Sequence, residues 1–534
     1  MDECDFVVVG AGSAGCLLAN RLSADSGSRV CLLEAGGRDN WIWFQIPIGY
    51  IFAIGNPRAD WMLATEAEPG LGGRALNYPR GKVLGGSSSI NAMIYMRGQR
   101  EDYDHWRQLG LPGWAWDDVL PVFRRHADHF LGASEHHGAG GEWRVEPPRM
   151  RWALLDAFRE AAIAAGIPAT PDFNTGNNEG VAYFHVNQKN GRRWSAARGF
   201  LKPVLHRSNL RVETHALAQR ILFEGRRAVG VEFMQDGVRR QIRARREVVL
   251  ACGTVGSPHL LQLSGVGDAA RLAEHGIAVM HDLPGVGENL QDHLQLRPIY
   301  RVRGVRTLNQ DYRSWLRRAG MGVQYALTRR GPLTMAPSQL GAFTRSSAEY
   351  ATPNLQFHIQ PLSLDKFGED PHSFPAFTAS VCNLRPTSRG SIRLVSPDPA
   401  VPPSIRLNAL TTIEDGRVAI DALRLVRRIV AQAPLQRFHP DEYKPGAALD
   451  SDAELLKGAR AIGTTIFHPV GTAKMGADSD PMAVTDARLR VRGLDGLRVV
   501  DASVMPAITS GNTNSPTLMI AEKGASMILE DAQA

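Results

Sequence analysis

A glycine-rich turn between two apolar segments constrains the fold of this chain more than any other feature. Residues 5–9 read DFVVV and predict a buried strand, and the motif GAGSAG follows without a gap at residues 10–15. Apolar residues at helical spacing then lead to a second apolar strand, which ends in Glu34. This order of strand, GxGxxG turn, helix and strand predicts a βαβ unit of a parallel, doubly wound sheet that binds a dinucleotide.

Each glycine of the turn has its own physical role. Gly10 permits the tight turn, Gly12 lets a pyrophosphate approach the backbone, and Gly15 lets the helix pack closely on the strand. The N terminus of the helix offers N–H groups and partial positive charge to the phosphates. Glu34 lies 19 positions after Gly15. Its carboxylate can accept hydrogen bonds from ribose hydroxyls, and its charge disfavours a 2′-phosphate.

The length of the chain indicates the number of domains, and its charge distribution bears on nucleic-acid binding. At 534 residues the chain exceeds what one hydrophobic core usually supports, so we expect two domains. The net charge is +7, and the densest basic run, RRQIRARR, occupies residues 239–246 after an Asp-Gly turn signal. This run predicts the solvated face of a hairpin strand, so we expect no nucleic-acid partner.

The cysteines and the N terminus indicate a cellular compartment. The five cysteines include no CxxC pair, and the acidic N terminus, MDECD, runs directly into a strand. We therefore expect reduced thiols and no signal peptide, and no apolar run approaches the ~18 residues of a membrane span. The expectation is a cytoplasmic protein. A peripheral contact with the inner membrane and a homodimer stay open.

Hydrophobic patterning predicts an α/β fold with two domains. Continuous apolar strands cluster near the N terminus, at residues 210–252 and at residues 495–501, whereas alternating strands fill residues 300–400. We predict a Rossmann-like dinucleotide-binding domain assembled from the discontinuous segments 1–150, 193–300 and 465–534. The second, α+β domain, with an antiparallel sheet and the substrate-binding role, is predicted at 151–192 and 301–464.

Two further stretches rich in small residues identify a family. Residues 79–91 read PRGKVLGGSSSIN, and residues 253–267 read GTVGSPHLLQLSGVG. Together with the N-terminal unit they resemble the glucose–methanol–choline (GMC) family of flavin oxidoreductases. The resemblance runs from Asp5 to about Ile528 and is weakest across residues 301–460.

The resemblance implies FAD as the cofactor. Some relatives attach the flavin covalently through a histidine in the SSSxN loop, but Ile90 stands at that position here, so we expect non-covalent FAD. Because proline is favoured at the first helical position, Pro516 is predicted to start a helix over residues 517–523. The N-terminal dipole of that helix could stabilise negative charge on the flavin. The residues expected to contact FAD are Gly10, Gly12, Ser13, Gly15, Glu34, Ala35, Gly81, Val83, Gly86, Ser87, Asn91, Ala92, Ala218, Asp501, Ala502, Asn514, Pro516 and Thr517.

A histidine and an asparagine near the C terminus are the predicted catalytic pair. Oxidation of an alcohol requires removal of the hydroxyl proton while a hydride leaves the carbon, and a neutral imidazole suits the first task. The resemblance gives that role to His468 and makes Asn512 the second polar group on the substrate oxygen. Phe467 and Phe357 are expected to line the substrate pocket.

The resemblance implies an FAD-dependent dehydrogenase. It would oxidise a primary alcohol to an aldehyde by proton abstraction and hydride transfer to flavin N5, with electrons passing to a quinone-like or dye acceptor. An alcohol oxidase that uses O2 and produces H2O2 stays open, as does a hydroxynitrile lyase. A flavin-binding protein without catalysis is disfavoured by the intact His468 and Asn512.

Two other stretches carry interpretations of their own. His126, His129, His136 and His137 are predicted to be solvated loop residues, and no metal site is expected because their spacing is irregular. Residues 44–55 combine aromatic and branched side chains with proline and glycine, which predicts a lid over the flavin cleft. A packed core segment and a membrane-surface or dimer contact are the alternatives for these residues.

Overall fold

The structure is a computed structural model that describes residues 2–366 and 369–533. The strands are β1 Asp2–Val9, β2 Val30–Leu33, β3 Ala127–His129, β4 Trp143–Val145, β5 Gly180–Tyr183, β6 Gln188–Lys189, β7 Arg192–Arg193, β8 Leu210–Glu213, β9 Ala216–Glu224, β10 Arg227–Gln235, β11 Val238–Leu250, β12 Val266–Gly267, β13 His281–Asp282, β14 Leu294–Leu296, β15 Ile299–Arg301, β16 Leu340–Thr344, β17 Leu355–Gln360, β18 Ala376–Asn383, β19 Ser391–Arg393, β20 Ser404–Arg406, β21 Asp441–Lys444, β22 Gly463–Thr465 and β23 Leu497–Val499. The helices are α1 Ser13–Leu22, α2 Tyr50–Ala53, α3 Arg100–Gln108, α4 Trp116–His126, α5 Ala153–Ala164, α6 Gly253–Leu263, α7 Ala269–Glu274, α8 Leu308–Arg313, α9 Trp315–Thr328, α10 Ile413–Val430, α11 Ala433–Gln436, α12 Asp452–Ile462 and α13 Asn514–Gln533. None of these helices is both long and apolar enough to cross a membrane.

The first sheet contains the predicted βαβ unit. Its strand order is β8-β2-β1-β11-β10-β9, with β23 beside β11. The neighbouring strands β8, β2, β1 and β11 pair in parallel, and β23 pairs in parallel with β11. β10 pairs antiparallel with β11, and β9 pairs antiparallel with β10. β10 and β11 form the predicted hairpin, which turns at Asp236 and Gly237 with φ values of 51° and 76°. The Rossmann-like arrangement is thereby confirmed, and α1 packs against α13 on one face of the sheet.

The second sheet is antiparallel, as predicted. Its strand order is β21-β15-β18-β17-β16-β5, and β14 joins β18 to β22. The helices α5 and α10 cover it, and fully buried residues such as Phe357, Ile359 and Phe377 form its core. Because β14 and β15 pair within this sheet, residues 294–300 contribute to it rather than to the first sheet. The domain boundaries themselves stay a prediction.

Residues 44–55 form short helical turns rather than an extended loop. Pro47–Gly49 is one turn of 3₁₀-helix and leads directly into α2. Tyr50 and Ile54 line the cleft described below, whereas Ile51 and Phe52 are exposed on the opposite side. The segment thus lies between the cleft and solvent, and its role as a lid stays a prediction.

The prediction of solvated loop histidines is wrong for three of the four. His126, His129 and His137 are buried, and only His136 is partly exposed. The rings of His129 and His137 stack at 3.7 Å between centroids. His185, just after β5, and Asp172 complete the group, residues that the local composition around 126–137 could not reveal.

We call His129, His137, His185 and Asp172 the junction histidine cluster, because it joins β3 to the end of β5. His137 Nε2 lies 2.5 Å from Asp172 Oδ2, and His129 Nε2 lies 3.3 Å from His185 Nδ1. Burial lowers the pKa of His129 to about 3. The cluster ties the segment before β4 to the antiparallel sheet.

Candidate active site

A cleft extends from the carboxyl ends of β1 and β2 to the antiparallel sheet. At one end it is lined by the glycine-rich turn and by Glu34, and at the other by His358 and Gln360 of β17. Loops after parallel strands are where an open α/β sheet binds its ligands. The cleft is therefore continuous between the predicted cofactor residues and the second sheet.

The glycines of the turn fit the geometry that the sequence predicts. Gly10 has φ of +96°, and a Cβ on Gly15 would lie 1.8 Å from Gly10 O. At Gly12, which lines the cleft, a Cβ would meet only Ala251 O at 3.9 Å. A side chain at Gly12 would thus project into open cleft, whereas at Gly15 it would push α1 off the strand.

Glu34 is fixed at the end of β2 by two backbone donors. Its carboxylate accepts hydrogen bonds from Ala11 N at 2.9 Å and Gly36 N at 2.8 Å. Burial raises the pKa of Glu34 to about 7, an effect that these two amides partly offset. Each oxygen keeps a further lone pair, and the residue lines the cleft, as required for an acceptor of ribose hydroxyls.

The small-residue loop packs directly on the glycine-rich turn. A Cβ on Gly86 would approach Gly12 Cα at 2.7 Å, so only glycine permits this contact. The buried Arg193 holds the loop by donating to Asn91 O at 2.7 Å and to Asn91 Oδ1 at 3.0 Å. Burial lowers the pKa of Arg193 to about 9. Sequence reasoning missed Arg193, because no motif marks it. Ile90 lines the cleft.

Asp501 positions the N terminus of α6. Its Oδ2 accepts from Gly253 N at 2.8 Å and Ser257 Oγ at 2.6 Å, and its Oδ1 accepts from Ser503 N at 2.8 Å and Ser503 Oγ at 2.6 Å. The carboxylate therefore holds together the protein elements that form this wall of the cleft.

The N terminus of α13 closes the cofactor end of the cleft. Ser13 Oγ donates to Asn514 Oδ1 at 2.7 Å, and Asn514 Nδ2 is buried with no hydrogen-bond partner among the described residues. The helix begins at Asn514, two residues before Pro516, so the predicted start at Pro516 is wrong. An unpaired donor, two helix N termini and a bare glycine turn suit a dinucleotide phosphate and a polar ring edge.

Most predicted cofactor residues line the cleft, and three do not. Gly15, Val83 and Pro516 lie behind its wall. Val83 packs in a small cluster with Phe44 and Ile90. The predicted cofactor residues that line the cleft are Gly10, Gly12, Ser13, Glu34, Ala35, Gly81, Gly86, Ser87, Asn91, Ala92, Ala218, Asp501, Ala502, Asn514 and Thr517.

His468 and Asn512 are neighbours in the cleft wall. Asn512 Nδ2 lies 3.0 Å from His468 Nε2, and Asn512 Oδ1 accepts from Gln356 Nε2 at 3.2 Å. The Gln356 contact orients the amide so that its NH₂ group points at the histidine. The two side chains are brought together across the 44 residues that separate them in the sequence.

A second histidine fixes the tautomer of His468. His293 Nε2 lies 3.2 Å from Leu384 O, which can only accept, so His293 carries its hydrogen on Nε2. Neutral His293 then accepts at Nδ1, 3.1 Å from His468 Nδ1, which must donate. This network assigns a lone pair to His468 Nε2. Burial lowers the pKa of His468 well below its ordinary value, with repulsion from His293 adding to it.

Asp292 and Arg80 hold the backbone at His468, the predicted catalytic base. Asp292 Oδ1 accepts from His468 N at 2.8 Å, and its Oδ2 accepts from Tyr78 OH at 2.9 Å. Arg80 Nη2 donates to Phe467 O at 2.9 Å, and Phe467 has φ of 69°. A left-handed, non-glycine residue persists only where its surroundings fix it. The sequence analysis missed Asp292, His293 and Arg80 as site residues.

The strand β17 faces the cleft with the alternate set of side chains from the one predicted. Phe357 is buried in the core of the second sheet, so its predicted place in the substrate pocket is wrong. Side chains alternate along a strand, which puts His358 and Gln360 in the cleft. His358 Nε2 is buried without a hydrogen-bond partner in the described part of the chain. Phe467 lines the cleft, as expected. We call His293, His358 and His468 the cleft histidine cluster.

Comparison with known proteins identifies the family. Two profiles, both described as GMC oxidoreductase, match residues 4–295 and 386–521. The chain is 43% identical over 530 residues to an alcohol dehydrogenase [acceptor] of Pseudomonas putida, covering 98% of this chain and 95% of that protein. It is 42% identical over 545 residues to the mitochondrial choline dehydrogenase of Homo sapiens, covering 99% and 90%.

A solved structure agrees with this result. The fold matches an Aspergillus oryzae formate oxidase, solved in a study of its FAD modification, with a TM-score of 0.92, 26% identity and coverage of 100% and 99%. The predicted fold class and the FAD cofactor are confirmed, whereas non-covalent attachment stays a prediction. The chain belongs to the GMC oxidoreductase family.

Proposed function

We propose that this enzyme is an FAD-dependent dehydrogenase that oxidises an uncharged primary alcohol to an aldehyde and passes the electrons to a quinone-like acceptor. FAD-dependent alcohol oxidation follows from the family and its relatives, whereas the charge of the alcohol and the kind of acceptor are parts of the proposal. The observation that carries the proposal is the lone pair on His468 Nε2, 3.0 Å from Asn512 Nδ2 at the wall of the cleft.

The two side chains divide the work on the substrate hydroxyl. Asn512 Nδ2 donates to the hydroxyl oxygen, and His468 Nε2 takes the hydroxyl proton. Loss of that proton lets an oxygen electron pair form the carbonyl bond as a hydride leaves the carbon. When bound, FAD supplies the ring that accepts the hydride. The hydrogen bond from His468 Nδ1 to His293 keeps the imidazole oriented throughout.

The charges of the cleft favour an uncharged substrate. Among the described lining residues, only Glu34 and Asp501 are acidic, and both lie at the cofactor end with their oxygens bonded to the protein. The cation Arg80 also lines the cleft, beside Phe467. The carboxylate nearest the base among the described residues is Asp292, which accepts from His468 N and does not line the cleft, so a quaternary ammonium alcohol such as choline would find no lining carboxylate at that end. The far end of the cleft instead offers neutral groups, among them Gln295 of β14 and Ser338 just before β16.

The acceptor and the mode of FAD attachment rest on separate observations. A quinone-like acceptor is supported by the Pseudomonas putida relative, whose name specifies an acceptor. Non-covalent FAD is supported by Ile90, an aliphatic residue that lines the cleft. All five cysteines are free, which fits a reducing compartment such as the cytoplasm.

Anaerobic flavin reduction by a panel of alcohols tests the substrate class. We expect uncharged aliphatic or aromatic primary alcohols to bleach the flavin and choline to react far more slowly. Faster reduction by choline would contradict the charge argument. Reoxidation of the reduced enzyme by a soluble quinone and by O2, measured in parallel, then separates a dehydrogenase from an oxidase. Stoichiometric H2O2 with rapid O2 consumption would establish the oxidase instead.

A further inference from the structure

The helix α9 turns its apolar face outward. At 100° per residue, seven residues occupy one arc of about 140° on the helical surface. All seven are exposed and none carries a polar side chain: Trp315, Leu316, Ala319, Gly320, Val323, Ala326 and Leu327. Trp315 is 70% exposed and Leu327 80% exposed, whereas the opposite side of the helix buries Tyr325. A surface helix normally packs its apolar side on the core, so this orientation needs an occupant.

Arginines are concentrated in the segment that carries this face. Residues 301–331 contain eight arginines and a single acidic residue, Asp311. Asp311 is buried and already pairs with Arg306 and Arg317. A second copy of the chain docked on the same face would bring two strongly basic surfaces together. The excess of charge therefore argues against a homodimer through α9 and favours an anionic partner.

A basic groove continues from the C-terminal end of α9. It is lined by Lys189, Asn190, Arg192, Trp194, Arg198, Lys202 and Arg329. Tyr325 OH donates to Gly191 O at 3.0 Å, which joins the helix to the hairpin of β6 and β7. Lys202 pairs with Asp39 at 2.8 Å, but none of the described residues that line the groove is acidic. Burial lowers the pKa of Arg198, and Arg192 adds repulsion, so an anion in the groove would stabilise both.

The same segment leads to the wall of the active-site cleft. After α9 and three intervening residues, Pro332–Thr334 forms a helical turn that contacts Pro47–Gly49. Pro337 and Ser338 then line the cleft. The segment that carries the apolar face is therefore connected, within about ten residues of chain, to the wall of the active-site cleft.

We propose that the outward face of α9 and the adjoining basic groove form a docking surface for an anionic phospholipid bilayer. An amphipathic helix with tryptophan and leucine on one side and arginine on its borders suits the interface between headgroups and acyl chains. Phosphate headgroups would occupy the groove. The proposal extends the proposed function, because a lipid-soluble quinone resides in the bilayer.

Cosedimentation of the FAD-loaded enzyme with vesicles tests this surface without any catalytic step. We expect binding to vesicles of equal parts phosphatidylcholine and phosphatidylglycerol, and weaker binding at about 0.5 M salt, where surface charges are screened. Leu316→Ser combined with Leu327→Ser should reduce the partition coefficient by at least roughly tenfold. Lys189→Gln and Arg192→Gln should each reduce it by roughly fivefold.

Ile413→Ser is the matched control. Ile413 is 94% exposed at the start of α10, outside the proposed surface, so its loss should leave vesicle binding unchanged. All variants should keep the dye-linked activity and melting temperature, because the replaced side chains are exposed or lie outside the catalytic cleft.

Several results would overturn the proposal. Absence of binding to anionic vesicles would do so, as would equal loss of binding in Ile413→Ser. A dimer that dissociates in the double leucine variant, without vesicle binding, would make the face an interface between copies. Vesicle binding by an enzyme that fails to oxidise alcohols would refute the proposed function and leave the docking surface standing.

Discussion

The histidines of the cleft and those of the junction are both buried, but they differ in what their ring nitrogens meet. In the junction histidine cluster, Asp172 accepts from His137 at 2.5 Å and Leu131 N donates to His129 Nδ1 at 3.3 Å. In the cleft histidine cluster no carboxylate of the described residues accepts from a ring, and the partner of His468 Nε2 is the Asn512 amide, 3.0 Å away. A buried carboxylate closes one network, whereas the other ends at a histidine lone pair whose partner is the neutral Asn512 amide of the cleft wall.

This difference separates a structural role from a chemical one. Burial lowers the pKa of His293 to about 4 and of His358 to about 3, so the cleft holds neutral imidazoles that can accept a proton. Burial alone would raise the pKa of Asp172, but the hydrogen bond from His137 and the nearby histidines lower it instead. The carboxylate therefore stays ionised and fixes its neighbours. Mutations in the two clusters should consequently affect different measurements.

The largest expected effect is that of His468→Ala. Removing a positioned general base typically slows the chemical step by about 10²- to 10⁴-fold. The rate of anaerobic flavin reduction by an alcohol should fall by that factor, with FAD content unchanged because the base holds the proton and not the cofactor. His129→Ala is the control from the junction cluster and should leave this rate within a factor of about two. Equal losses in both variants would contradict the division of roles.

Asp172→Ala should lower the stability of the protein and leave the rate of flavin reduction unchanged, the reverse of what His468→Ala should do. The carboxylate accepts from His137 and, at 2.9 Å, from Asn174 N, so its removal leaves buried donors unpaired. Loss of one member of such a buried pair costs about 3 kcal/mol or more. The urea midpoint and melting temperature should fall while flavin reduction by the folded enzyme is unchanged.

Asp128→Ala controls for that prediction. Asp128 pairs with Arg144 at 3.0 Å, and both side chains are 24% exposed, so its loss should cost no more than about 1 kcal/mol. If both variants lose stability equally, the junction cluster has no special role in holding β3 to the second sheet.

Asn512→Ala should slow flavin reduction less than His468→Ala. It removes one donor to the substrate oxygen, an effect of about a hundredfold, but leaves the base in place. Gln356→Leu should slow the reaction by a smaller factor, since Gln356 only orients the Asn512 amide. FAD content should be normal in both. Unchanged kinetics in Asn512→Ala would remove this residue from the site.

The cofactor half of the molecule was largely predictable from sequence, because its signals are local. The turn at residues 10–15 needs glycine for steric reasons that act within a few residues, and the βαβ unit surrounds it. Pro516 shows the limit even there: proline is favoured in the first helical turn, but it does not mark which residue of that turn comes first.

The second half was less predictable, because its determinants are distant in sequence. Alternation in β17 was visible, but the parity that puts His358 rather than Phe357 in the cleft depends on pairing with β16 and β18. The junction histidines resembled a polar loop because Asp172 and His185, which bury them, lie more than thirty residues later. His293 likewise gains its role only through contact with His468.

The smallest expected effect is that of mild acid on the rate. It distinguishes the buried His468 from a catalytic base with an ordinary pKa. An imidazole with an ordinary pKa near 6.5 would be about three-quarters protonated at about pH 6, which would slow a base-dependent step roughly fourfold relative to about pH 8. Burial lowers the pKa of His468 well below that value, so the imidazole stays neutral and its lone pair stays available. The kcat/KM for dye-linked alcohol oxidation should therefore change less than about twofold between these pH values. An acid limb centred near 6.5 in the FAD-loaded enzyme would show that the base is not the buried His468 of the cleft cluster.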